Sequence, residues 1–87
     1  SLRRGAAEAI EVIAHGDKDS SKVVNRSISE INLPDGAMVG AILRGEDVII
    51  AHSDTVIESE DHAILFVIDK SKIRDIEQLF QVAVTFI

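Results

Sequence analysis

Cysteine is absent from this chain of 87 residues, as are tryptophan and tyrosine. Without thiols there is no disulfide framework and no thiolate metal site, and nothing argues for an oxidising compartment. The three aromatic residues are all Phe, and none alternates with Lys or Arg in a base-stacking pattern. Basic residues are in the minority, 9 against 15 acidic ones, for a net charge of −6. That balance argues against a nucleic-acid surface, which needs a basic stripe. No apolar run approaches the roughly 20 residues of a membrane-spanning helix. Arg3 and Arg4 lead into Gly5, Ala6, Ala7 and Glu8, so no signal peptide is expected.

What is present is apolar sequence cut into short pieces. Hydrophobic residues make up 46% of the chain, too many for a disordered segment, and the length suits one domain with one modest core. Pro34, the single proline, presets its own φ for a β-turn and pushes Leu33 into an extended conformation; Asp35 and Gly36 complete the turn. Met38 to Leu43 is apolar or small throughout and stops at Arg44-Gly45-Glu46-Asp47. A second apolar run, Val48 to Ala51, starts at once. Two such runs around a short Gly-containing loop predict an antiparallel hairpin. Ala63 to Ile68 is six apolar residues in a row, the length of a fully buried central strand.

Two helices are expected. Ala6, Ile10, Ile13 and Ala14 follow the spacing of one apolar helical face, with Gly16 placed as its C-cap. Arg3 and Arg4 would face the positive end of that helix's dipole, so residues 1–16 are expected to be the end of a linking helix, and the chain the C-terminal piece of something larger. The second helix carries Ile73, Ile76, Leu79 and Phe80 on one face, with Asp69 and Ser71 as N-cap candidates. Between them come a polar linker (Asp17 to Lys22), a strand from Val23 to Leu33, and a short extended piece at Thr55 to Ile57. Val82 to Ile87 is an apolar tail expected to pack on the sheet or on another subunit. The fold class is therefore α+β: a small, mostly antiparallel sheet with helices packed on it.

The residues that carry chemistry elsewhere do not assemble here. His15, His52 and His62 show no helical ligand spacing and match no zinc pattern, so no metal site is expected. Ser20, Ser21, Ser27 and Ser29 lack a base and an orienting acid, so no catalytic residue is assigned. Glu58, Glu60 and Asp61 read as a solvated acidic loop. Arg44 is either a solvated hairpin residue paired with Glu46 or Asp47, or a ligand or interface contact.

A family resemblance rests on specific segments: Ala7 to Asp17 with its Ala-His-Gly-Asp ending, Ser21 to Val24, Leu33-Pro34, Gly40 to Gly45, Asp61-His62, and Glu77 to Gln81. Together they resemble the TrkA-C (RCK C-terminal) domain over nearly the whole chain, residues 17–87 being the domain proper. One departure is Glu60-Asp61, where many members carry Gly-Asp. The resemblance implies a regulatory and assembly domain of the cytoplasmic subunit, peripheral to the inner membrane, of a bacterial Trk potassium uptake system. It implies a homodimer and a membrane potassium channel subunit as partners. In such proteins Rossmann-type lobes bind NAD(H) or ATP; no Gly-x-Gly-x-x-Gly occurs in this chain, so no cofactor is expected here. Some relatives bind a small effector such as cyclic di-AMP at a two-fold interface. Carried over by motif, that makes Arg44, Leu43 and Met38 candidate effector contacts. The oily strand and tail residues Val48, Ile49, Ile50, Phe86 and Ile87 are candidate dimer contacts. The alternative is a purely structural dimerisation domain without a ligand.

Overall fold

Strands gain stability only when both their edges and their apolar faces find partners, and in this chain four segments do so together. The computed structural model describes residues 7–83 and contains one sheet in the order β1-β4-β2-β3. β1 is Glu8–Ala14, β2 is Ala37–Arg44, β3 is Asp47–Ile50 and β4 is Asp61–Val67. All three pairings are antiparallel. The expected hairpin is β2–β3, in register from Arg44↔Asp47 to Ala41↔Ile50, and Gly45 takes the left-handed φ of 59° at its turn. The expected helix is α1, Ile73–Leu79, with Ile76 fully buried.

The N-terminal helix expected from Ala6, Ile10, Ile13 and Ala14 is instead strand β1. Residues four apart share a face in a helix and in a strand alike, so Ile10 and Ala14 satisfy both patterns. Pairing decides between them. Ile10, Val12 and Ala14 lie opposite Leu65, Ala63 and Asp61 on the inner face of the sheet. Two β-branched residues in succession, Val12 and Ile13, favour that choice. Residues 8–14 therefore belong to the sheet and are not a linking helix, and Gly16 ends a strand.

The strand expected from Val23 to Leu33 also does not form. Ser21 accepts hydrogen bonds on its side-chain oxygen from Val23 N and Val24 N, both at 3.1 Å, and curls the chain. A 3-10 turn follows at Ile28–Glu30, where the Glu30 carboxylate accepts from Ser27 N at 2.9 Å and Ser27 Oγ at 2.8 Å. That is the Glu half of a capping box, a local alternative that outcompetes a ladder. This segment still lays Val23, Val24 and Ile31 onto the inner sheet face. The extended piece at Thr55 to Ile57 survives as a single bridge, Ser27↔Val56.

β4 lies between β1 and β2, as a central strand should, but only one of its faces is covered. Ala63, Leu65 and Val67 have no exposed surface, whereas Phe66 and the following Ile68 are half to two-thirds exposed. Helix α1 and the loops cover one side of the sheet only. After α1, Val82 bridges to Ser21. Residues 84–87 of the tail, with Phe86 and Ile87, lie outside the described residues, as do Arg3, Arg4 and Ala6.

Three carboxylates hold the turns. Asp17 is held below its ordinary pKa by hydrogen bonds from the backbone and hydroxyl of Ser20. Glu30 is lowered by the Ser27 backbone and hydroxyl. Asp69 is lowered by the hydroxyl and backbone of Ser71, and caps the 3-10 turn Lys70–Lys72 that leads into α1. A depressed folded-state pKa contributes stability that is complete above the unfolded value and is lost as pH falls through the folded one. In denaturant titrations the contribution of these three carboxylates should be constant above the ordinary carboxylate range, near about 4, and should decline below it. Asp17→Asn should flatten part of that decline.

Candidate functional site: an open apolar sheet face and the arginine clip behind it

β2 does not alternate evenly. A bulge between Val39 and Ala41 shifts its register on β4, so Val39 and Ile42 both face inward while Met38, Ala41 and Leu43 face outward. The outward positions of the sheet then form one apolar surface. β1 contributes Ala9 and Ile13, β2 contributes Met38, Ala41 and Leu43, β3 contributes Val48 and Ile50, and β4 contributes Ile64 and Phe66. Met38, Val48, Ile50, Phe66 and Ile68 are each half to two-thirds exposed. Folded monomers seldom leave a contiguous apolar patch larger than a few hundred Å² uncovered. Ile49 points the other way, opposite Ile42, and packs against the core.

Gly40, at the bulge, shapes this face. The Phe66 ring lies directly over it: a Cβ at position 40 would sit 2.5 Å from Phe66 Cε2. Beside the ring, Gly36, Ala37, Met38, Phe66 and Ile68 line an open apolar notch of about 230 Å³. In Gly40→Ala the exposed ring has room to swing outward. The expected result is a retained fold, a loss of about 1 kcal/mol in a denaturant titration, and displaced Phe66 ring-proton resonances by NMR.

Arg44 lies on the opposite face from Met38 and Leu43. Its Nε donates to Asp61 Oδ1 at 2.9 Å and its Nη2 to Asp61 Oδ2 at 2.8 Å, a two-pronged pair. Nη2 also donates to the Val56 carbonyl at 3.0 Å, and Nη1 meets Glu58 Oε2 at 2.9 Å. Asp61 is 1% exposed and also accepts from Glu58 N at 2.8 Å. The Arg44 guanidinium is pushed above its ordinary pKa, first by the hydrogen bonds to Asp61, then by the charges of Asp61, Glu58 and Asp47, against the cost of burial. The arrangement fastens the end of β2 to the start of β4 and to the acidic loop between β3 and β4. The three candidate effector residues are therefore not brought into one pocket of one protomer. Arg44 is paired, but with Glu58 and Asp61 rather than with its hairpin neighbours Glu46 and Asp47.

Two further contacts were not legible in the sequence. His15 Nδ1 lies 2.7 Å from Glu60 Oε2, and His62 Nδ1 lies 2.6 Å from Glu11 Oε2. Both pairs span more than 40 positions along the chain, so no local spacing announces them. Glu60 stands where many members of the resembling family carry Gly, and it takes a left-handed φ of 70°. Asp61 left one faint signal, the single carboxylate of a strand that is apolar from Ala63 onward. Among the described residues no cluster of three or more His, Asp or Glu could hold a metal ion, and no helix is long and apolar enough to cross a membrane.

Comparison with known proteins follows the same lines. The family model described as the TrkA-C domain matches residues 17–81. The Trk system potassium uptake protein TrkA of Halomonas elongata is 67% identical over 99% of this chain, and that of Vibrio alginolyticus 59% identical over 93%. The chain spans only 19% and 18% of those two proteins. Among solved structures, an RCK domain with cda aligns with a TM-score of 0.69 at 18% identity, covering 84% of this chain and 97% of that one. S. agalactiae BusR, in complex with its busA-promotor DNA, aligns at the same TM-score with 26% identity, over 92% of this chain and 40% of that one. The first of these likenesses supports the small α+β fold.

Proposed function

This chain belongs to the TrkA-C domain family, and from that premise we propose that it is a regulatory and assembly domain of a bacterial potassium uptake system. In this reading it pairs with a second copy through the outward face of its sheet. The observation that carries the assembly role is that face: β2, β3 and β4 are apolar on both sides, and the fold covers only one. Exposed apolar faces of this kind mark surfaces that meet a matching one. The high-identity relatives named as potassium uptake proteins support the system to which it belongs. The parent protein would act on a membrane channel subunit from the cytoplasmic side, and the domain would transmit pairing to that partner mechanically, without chemistry of its own.

The finer part of the proposal is a small effector at the paired face. The notch beside Met38 and Phe66 offers apolar contact, and Leu43 lies on the same face near His62. Arg44 would act from behind, by fixing the β2 end that carries Leu43. The resemblance to effector-binding relatives makes cyclic dinucleotides the first compounds to test, on a fold shared with an RCK domain solved with cda. Sedimentation at micromolar concentration should show a dimer. A thermal-shift screen of nucleotides and cyclic dinucleotides should show stabilisation that Met38→Ala weakens. A monomer at all concentrations would refute the assembly role, and a dimer that no compound stabilises would leave a scaffold without a ligand.

A further inference from the structure

The outward sheet face is apolar except at one place. Among the described residues, the ionisable side chains at outward positions of the four strands are Glu11 on β1 and His62 on β4. They touch, His62 Nδ1 to Glu11 Oε2 at 2.6 Å, and both are about half exposed. The strand partners flanking His62 are Ile13 on β1 and Leu43 on β2, neither of them charged. On the remaining elements, Glu46 and Asp47 are exposed acidic residues at the β2–β3 turn, Asp47 lying opposite Arg44 on the inner face. A solvated pair of this kind contributes little to one protomer. It matters only if the face is covered.

We infer that pairing through this face is proton-linked, with His62 and Glu11 as the groups that couple it to pH. The inference rests on the assembly reading above. A protonated His62 leaves the pair neutral. A neutral imidazole leaves the Glu11 carboxylate uncompensated on an apolar surface. Two copies meeting face to face would then each bring an unbalanced negative charge out of water. The imidazole gains a desolvated carboxylate neighbour in the assembled state and holds its proton more tightly there. The added association is therefore greatest where the imidazole carries its proton and is lost as rising pH removes it.

The test is the dissociation constant of the 87-residue chain, measured by sedimentation at pH 6 and pH 8 at fixed ionic strength. It should be about tenfold lower at pH 6, which for a dimer carrying two such pairs is the equivalent of roughly 0.6 of a unit of difference in proton affinity at each. Two variants separate the roles. In Glu11→Gln no carboxylate is left uncompensated at pH 8, so association there is tight, whereas at pH 6 the imidazolium is the unbalanced charge, so the wild-type preference for low pH is lost or reversed. In His62→Gln the carboxylate is always uncompensated, so association is weak at both and the dependence is again lost. His15→Gln controls for net charge, because His15 pairs with Glu60 beyond the strand ends, and it should keep the wild-type dependence. Equal constants at both pH values, or a dependence that survives in both variants, overturns the proton linkage while leaving the dimer standing. Absence of a dimer at either pH overturns the assembly reading, and the proton linkage with it.

Discussion

Asp61→Ala will cost this domain about 2–3 kcal/mol, a large share of the roughly 5–10 kcal/mol expected for a chain of this size. The carboxylate is 1% exposed and accepts three hydrogen bonds, from Arg44 Nε, Arg44 Nη2 and Glu58 N. Its removal leaves a guanidinium without its main counter-charge and a backbone N–H without an acceptor. The cost falls below the 3–5 kcal/mol typical of breaking a fully buried pair because the Arg44 side chain remains 32% exposed, so water and Glu58 take up part of the charge. Chemical denaturation of wild type, Asp61→Ala, Arg44→Met and the double variant forms a cycle. The double variant should lose clearly less than the sum of the two single losses. A loss below about 0.5 kcal/mol in Asp61→Ala, the scale of an ordinary surface substitution, would show that the clip does not hold the strands.

The second large effect is on association. Val48→Glu together with Ile50→Glu should raise the dimer dissociation constant by about 100-fold or more, since both positions lie on the proposed contact face and like charges would oppose each other across it. Each side chain is about two-thirds exposed in the monomer, so the melting transition of the monomer should move little. Ile49→Glu is the contrast. Its side chain points at Ile42 and the core, so the same chemistry one residue away should cost ~2 kcal/mol or more of folding stability. A dimer that tolerates Val48→Glu with Ile50→Glu would move the contact off this face. The period-2 geometry of β3 is what makes neighbouring substitutions differ in kind.

Several parts of this architecture were readable before folding. The hairpin could be read because its turn residues and its two apolar runs are adjacent in sequence. α1 could be read because Ile73, Ile76, Leu79 and Phe80 recur at helical spacing after a capping Asp69. β1 reads as a helix in the sequence because Ile10 and Ala14 fit both periods, and the partner strand that decides between them, β4, lies about 50 positions away. The segment from Val23 to Leu33 was misread because its apolar residues suggested a ladder, whereas Ser21, Ser27 and Glu30 satisfy the backbone locally. Of the candidate site, the sequence marked Met38, Leu43, Val48 and Ile50 as apolar and Arg44 as notable. It could not sort them onto opposite faces, because one bulged residue in β2 reverses the alternation between Val39 and Ala41.

Composition and local pattern alone determined that this is a small, cysteine-free, acidic α+β domain with a hairpin, a central apolar strand and a closing helix, because those properties depend on neighbours within a few positions. The tertiary structure alone decided which side of each strand is covered, which partner Arg44 takes, and that His62 meets Glu11. Each of those depends on register between segments distant along the chain, and a shift of one residue exchanges a strand's inner and outer side chains.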